Sequence, residues 1–381
     1  MRILVLTKRQ YMNRDLIDDL YGRFRELPLA LASKGLQVSG LCLSYRPRPE
    51  GMFLDSFQSA YVAWKSLNIS KLFRFDKGGY WGVIDRFAAS MRPDLIWACS
   101  DVLHSILGAR TAQHLNAKLV IDFYDNFESY GLTRLPGMRK ALRDAVRVAD
   151  GVSCVTSSLE MLIRERYHYS GPIKIIQNAV PDKTFRPIDR YSARSTLNLP
   201  QEATLIGTAG SLARSRGMST LFQAYEQLSQ ERPNVHLVLA GTRDKGLVLP
   251  TDKRVHYLGI LPPDQVPYLL SSLNVSVICN RESDFGNYCF PQKLYESIAC
   301  KVPTVVAATQ SMKEFLHDFP EVLFKPDDIT GLVLGLRRQI DYPKPIPLTA
   351  PTWHELGGLL SCFFNQILSP ISGQSLYKLS S

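Results

Sequence analysis

Pro291-Gln292-Lys293-Leu294-Tyr295-Glu296 opens a passage, ending at Pro303, that joins a helix start to a cation and a carboxylate. Proline is preorganised for the first turn of a helix, so a helix is predicted to begin at Pro291. The unpaired amide groups of such a start, with the helix dipole, attract an anion. Glu296 lies about a turn and a half deeper, where it could accept hydrogen bonds from hydroxyls attached to that anion. Phosphate at the helix mouth and sugar hydroxyls on the carboxylate behind it describe a nucleotide sugar. The alternative for these residues is a surface pair between Lys293 and Glu296 at i, i+3, worth about 0.2–0.5 kcal/mol.

Other segments could contribute to the same chemistry. Gly207–Gly217 follows a strand-like run, and Gly210 would let the backbone approach a ligand. Arg214 and Arg216 could clamp a diphosphate in planar, charge-assisted bonds. The loop matches neither a Walker sequence nor the dinucleotide fingerprint, and two solvated arginines are the alternative. In Asn280–Pro291, the amide groups of Gly286 and Asn287 could meet phosphate or sugar. Glu282 and Asp284 are its acidic candidates, with Glu282 taken as a catalytic candidate and simple solvation as the rival reading. Asp122–Tyr130 interleaves three acids with aromatics at a strand exit, which suits hydroxyl binding or base work on an acceptor. Asp125 is its best single candidate, unless Asp125 or Asn126 merely caps a helix. Asn178, within Ile175–Asp182, is expected to hold a hinge. His104, after Asp101, reads as structural. With no Asp-x-Asp pair and no His-x-x-x-His, a chelated metal carrying the diphosphate is not indicated; arginines and helix amides would carry that charge.

These residues need strand ends to hold them. Short β-branched runs alternate with helical patterns almost throughout, predicting βαβ units and an α/β fold. Strands are expected at Ile3–Leu6, Gln37–Leu43, Leu95–Ala98, Leu119–Asp122, Gly151–Val155 and Ile173–Ile176. A second set follows at Leu205–Gly207, His236–Ala240, Val255–Leu258, Val275–Cys279, Thr304–Ala307 and Val322–Phe324. Two Rossmann-like domains facing across a cleft are predicted: residues 1–185, residues 186–350, and a C-terminal helix and tail, 351–381, packing toward the first domain. Ligands of such sheets sit beyond the carboxyl ends of the strands.

The 381 residues carry a formal charge of +10, which favours an anionic partner without naming it. Seven scattered cysteines read as buried, reduced thiols rather than a zinc site. The N-terminal apolar run is too short for a signal peptide, and no apolar stretch is long enough to span a bilayer. A cytoplasmic protein is expected. Two basic stretches, Met138–Val148 and Trp64–Phe75, could rest on anionic lipid at the inner face of a membrane, or present the ordinary solvated face of a helix. The Ser-rich tail from Ser369 is expected to fray.

Taken together, the segments resemble the retaining, nucleotide-sugar-dependent glycosyltransferases of the GT-B fold, the family 4-like group 1 enzymes. The resemblance covers most of the chain, strongest from Asp150 to Pro303 and faint over residues 45–90. It rests on Ala149–Ser157, Ile176–Pro187, the glycine turn with the cation before Gly217, Leu221–Tyr225, Pro233–Gly241 and the Pro291–Pro303 block. It implies that Glu296 binds the donor ribose and that Arg216 stands where the family has a diphosphate-binding lysine. Gly210, Arg214, Gly286, Asn287 and Lys293 would complete the donor site, and Asp125 would face the transferred sugar and acceptor. Three positions depart from the pattern: Ser211 replaces an arginine, Tyr288 the first glutamate of a paired motif, and Lys301 a small residue.

The expectation is therefore a hexosyl transfer from a nucleoside-diphosphate sugar, needing no metal or other cofactor, to a saccharide or lipid-linked acceptor in glycan or envelope polysaccharide synthesis. Rival readings are an epimerase on the same architecture and a catalytically silent protein that binds a glycan or scaffolds a polysaccharide assembly complex. Nucleic acid is not an expected partner, since no recognition signature supports it.

Overall fold

The structure is a computed structural model that describes residues 1–11, 14–71, 79–181 and 184–369. Its first lobe is built on an eight-stranded sheet in the order Ile173–Ile175, Gly151–Cys154, Lys118–Phe123, Leu95–Cys99, Arg2–Lys8, Gln37–Ser44, Ala60–Asn68, Gly51–Phe57. Every neighbouring pair is parallel except the last. The Arg2–Lys8 strand is central, and Ile3, Leu4, Val5 and Leu6 are all fully buried. Such an unbroken apolar run is what a strand covered on both faces requires. The second lobe has a six-stranded, wholly parallel sheet: Val255–Tyr257, Val235–Ala240, Thr204–Ala209, Val275–Ile278, Thr304–Ala307, Leu323–Phe324. Both lobes are thus the α/β, GT-B-like sheets the sequence predicts, with strand limits differing by a few residues.

The outer hairpin, Gly51–Phe57 with Ala60–Asn68, was not foreseen. Its first strand exposes Met52, Leu54 and Phe57 to solvent, so no clean inside–outside alternation marks it. Its second strand corrects the reading of Trp64–Phe75 as a lipid-facing stretch. Trp64 is 1% exposed, and its ring fills the space over Gly40, where an added methyl would lie 2.1 Å from it. The remainder of that stretch from Leu72 lies outside the described residues, as do Asp182 and the tail beyond Ser369.

The helix Met138–Arg147 buries Leu142, Ala145 and Val146. Its cations are mostly compensated: Lys140 meets Asp144 at 2.7 Å, and Arg143 meets the buried Glu128 at 3.0 Å. Among the described residues no helix is long and apolar enough to cross a membrane. Six cysteines are buried free thiols, while Cys362 is exposed.

The helix Arg190–Thr196 is fixed to the second lobe, because Arg194 donates to the Ser272 carbonyl (3.0 Å) and Asn274 Oδ1 (2.8 Å). The last helix, Trp353–Leu368, starts with a Thr352/Glu355 capping box. It lies against the first lobe: Phe364 meets the Trp97 ring edge-on at 5.8 Å, and Gly357 sits over Ala30.

Candidate active site

On the second lobe, the Thr204–Ala209 strand ends in a glycine turn. Gly210 has φ 111° and Gly241, leaving the neighbouring strand, has φ 127°. A methyl at Gly241 would lie 1.7 Å from the Gly210 carbonyl oxygen, so only glycine allows the two strand ends this approach. The turn lies beneath Lys293, whose Nζ would be 3.5 Å from a methyl on Gly210.

The helix expected at Pro291 runs Gln292–Ala299, with Pro291 in the capping position at φ −72°. It points Lys293 and Glu296 the same way, and both are half-buried. The Lys293 ammonium is driven down to about 8, first by burial and then by the charge of Arg216. Burial pushes the Glu296 carboxyl up to about 7 against the pull of Lys293. Among the described residues these two form no ion pair, so a solvated i, i+3 pair is not what they make. Glu296 is turned toward the first lobe. Its charge helps burial to raise the Tyr21 phenol to about 12.

The two loop arginines part company. Arg214 is exposed and donates to the Gly246 carbonyl at 3.0 Å. Arg216 lies over the Phe285 ring at 4.3 Å and acts electrostatically on Lys293 and on Asp125 of the first lobe. Arg214 therefore stands outside the cluster that Arg216 joins.

The Asn280–Pro291 loop differs from expectation in how it uses its amides. Gly286 N–H donates to Ser283 Oγ (2.9 Å) and Asn287 N–H to the Ser283 carbonyl (3.0 Å), so both are already spent within the loop. The lack of a side chain at Gly286 has a local reason, since a methyl there would lie 2.0 Å from the Arg281 carbonyl oxygen. Glu282 is exposed, and its carboxylate lies 3.6 Å from Lys313 rather than with the buried carboxyls.

The three acids of the first-lobe segment separate cleanly. Asp122 is fully buried against Arg23 (2.8 Å) and Ser153 (2.6 Å). Glu128 is paired with Arg143 and Arg166. Asn126 supplies the cap, accepting from Glu128 N–H at 3.1 Å. Asp125 is left with one backbone bond, from Asn126 N–H at 2.8 Å, and burial pushes its carboxyl up to about 7 despite Arg216 and Lys8. Lys8, at the end of the first strand, was missed by sequence reasoning; the strand-end rule would have found it. Tyr21 carried no such signal.

Several hydrogen bonds bind the lobes around this cluster. Asn126 Nδ2 donates to the Asp284 carbonyl (3.0 Å), Thr156 Oγ1 to that of Tyr288 (3.1 Å), Asn178 Nδ2 to that of Phe290 (3.4 Å), and the Tyr295 hydroxyl to Gln177 Oε1 (2.6 Å). These four second-lobe partners all belong to the Glu282–Glu296 passage. Asn178 thus does bond to backbone, but to that of the opposite lobe.

Residues 203–341 match the family model described as Glycosyl transferases group 1, and residues 23–183 that described as Glycosyltransferase Family 4. The 2-deoxystreptamine glucosyltransferase of Streptomyces kanamyceticus is 23% identical over 220 residues, 54% of each chain. The lipopolysaccharide 1,2-N-acetylglucosaminetransferase of Salmonella typhimurium is 27% identical over 126 residues, 33% of this chain and 29% of that one. The chain therefore spans about half the length of the first curated relative and under a third of the second. Sucrose-phosphate synthase from Thermosynechococcus elongatus superposes with a TM-score of 0.75 at 18% identity, covering 96% of this chain and 99% of that one. Anabaena HepE, solved in complex with UDP and glucose, superposes with a TM-score of 0.68 at 15% identity, covering 96% and 100%. At these identities the two structures speak for the fold.

Proposed function

The chain belongs to the group 1, family 4-like glycosyltransferases of the GT-B fold, and from that premise we propose that it moves a hexose from a nucleoside-diphosphate sugar to an acceptor hydroxyl, with the anomeric configuration retained. The acceptor is a saccharide or lipid-linked glycan of a polysaccharide pathway. One observation carries this reading: Lys293 sits over the Gly210 turn within electrostatic range of Arg216, and among the described residues neither has an ion-pair partner. Like charges kept close in a poorly solvated site oppose folding, and a diphosphate relieves that opposition.

In this reading the diphosphate lies between Arg216, Lys293 and the first amides of the Gln292–Ala299 helix, while Glu296 takes the ribose hydroxyls. These cations stabilise the charge that builds on the leaving diphosphate. Asp125, across the cleft, orients the acceptor hydroxyl. The anomeric carbon–phosphate oxygen bond breaks as the acceptor oxygen bonds to the same face. The acceptor proton passes to the departing phosphate oxygen. The interlobe bonds support a closed cleft that keeps water from competing.

HepE was solved with UDP-glucose, so uridine diphosphate sugars are the first donors to test. Release of nucleoside diphosphate is measured with UDP- and GDP-sugars, with and without saccharide acceptors. Acceptor-dependent release supports the transferase. Nucleotide binding without turnover under every condition favours the silent, scaffolding reading.

A further inference from the structure

A cavity of about 360 Å³ opens on the first lobe at the carboxyl ends of its strands, and nothing above assigns it an occupant. Its wall includes Lys8, Tyr45, Arg46, Asp101, Phe127 and Tyr130. Asp101 is fully engaged: Oδ1 contacts His104 Nδ1 at 2.7 Å and accepts from Leu103 N–H, and Oδ2 accepts from the Tyr45 hydroxyl at 2.8 Å. Lys8 is different. Among the described residues its ammonium meets only the Tyr124 hydroxyl, at 2.7 Å, and the Tyr124 ring face. Asp101 and Asp125 act on it from beyond ion-pair range, and burial lowers its affinity for the proton. Arg46 is exposed on the loop after the Gln37–Ser44 strand, and its guanidinium has no partner among the described residues.

Two cations without carboxylate partners therefore line one cavity whose single acid is already satisfied. A half-buried ammonium without a counter-ion is costly, and an anionic group entering the cavity would offset that cost. The aromatic rings alongside offer apolar faces suited to the C–H side of a pyranose. We infer that this cavity is the acceptor subsite and that it selects a saccharide carrying an anionic group, phosphate or carboxylate, held by Lys8 and Arg46. The inference rests on the transferase reading and sharpens it by naming the acceptor class.

Calorimetry on the full chain with UDP present compares glucose 6-phosphate, glucuronate and glucose. At least one anionic sugar binds more tightly than glucose, by about tenfold for a charge-assisted contact; which one does separates phosphate from carboxylate. Lys8→Met and Arg46→Met each reduce that advantage. Arg46→Met, on an exposed loop, keeps the test valid should loss of the Lys8–Tyr124 bond disturb folding. Neither anionic sugar exceeding glucose, or an advantage unchanged in Arg46→Met, overturns the inference. Binding of UDP is recorded first: its absence in the unaltered protein would strike at the donor site and not at this cavity.

Discussion

The side-chain amide of Asn126 donates to the backbone carbonyl of Asp284 at 3.0 Å, while its carbonyl oxygen accepts from Glu128 N–H. One residue thus caps a turn in the first lobe and fastens the loop that leads to the Gln292–Ala299 helix of the second. Asn126→Asp keeps the capping oxygen and loses the donor. Asn126→Ala loses both. The alanine variant should lose about 1–2 kcal/mol of stability, and the aspartate variant at least as much, because Asn126 is buried and the new carboxylate would face the Asp284 carbonyl. Both should raise the KM for donor. An aspartate variant as stable as the unaltered protein in thermal melts would contradict this donor role.

Asp125 and Glu296 should separate kinetically. Glu296→Gln weakens donor binding by about tenfold to a hundredfold, the scale of a lost charge-assisted hydrogen bond. Asp125→Asn lowers kcat and leaves donor affinity nearly intact. Unchanged activity in both variants would remove the site assignment.

The same carboxyls make stability depend on pH. Burial pushes both up to about 7 in the folded protein, whereas the unfolded chain releases those protons near pH 4. The folded state therefore binds more protons over that window, and stability falls as pH rises through it. Asp125→Asn removes one such group. Its melting temperature should exceed that of the unaltered protein at pH 8, by the equivalent of roughly 2–4 kcal/mol at most, and match it at pH 4. A difference independent of pH would refute the assignment.

Lys293 titrates the other way. Its ammonium is driven down to about 8 by burial and by Arg216, so it loses charge as pH passes through that value. UDP affinity should fall between pH 7 and pH 9, and Lys293→Met should flatten that decline while weakening binding at pH 7. A slope unchanged in the variant would exclude Lys293 from the phosphate contacts.

Much of this was readable beforehand, because buried parallel strands need unbroken apolar runs and leave clear marks. Ile3–Leu6 and Thr304–Ala307 were of that kind. The Gly51–Phe57 edge strand was not, since three of its four large apolar residues face water. Within the site, Glu296, Lys293, Arg216 and Asp125 were indicated by strand ends and a helix start. What spacing could not tell was which of several like residues turns inward: Arg214 or Arg216, Asp122 or Asp125. That choice depends on partners distant in the chain, such as Arg23 for Asp122 and the Gly246 carbonyl for Arg214. The amides of Gly286 and Asn287 were misjudged for a similar reason, because Ser283 takes them.

Lys301 is a departure from the family pattern that the backbone explains. It has φ 53° just past the end of the Gln292–Ala299 helix, where its N–H bonds to the Ile298 carbonyl at 2.9 Å. Glycine takes up such a left-handed position without strain. Lys301→Gly should therefore stabilise the protein by roughly 0.5–1 kcal/mol and leave transfer unaltered. A loss of stability in denaturant titration would contradict this.

The central claim is that a diphosphate occupies the gap between Arg216, Lys293 and the mouth of the Gln292–Ala299 helix, with Glu296 on the ribose. A crystal structure of the protein soaked with a UDP- or GDP-sugar tests it most directly. The account predicts phosphate oxygens within hydrogen-bonding distance of Arg216 and Lys293, and ribose hydroxyls on Glu296. A nucleotide bound elsewhere, with Glu296 facing solvent, would contradict it.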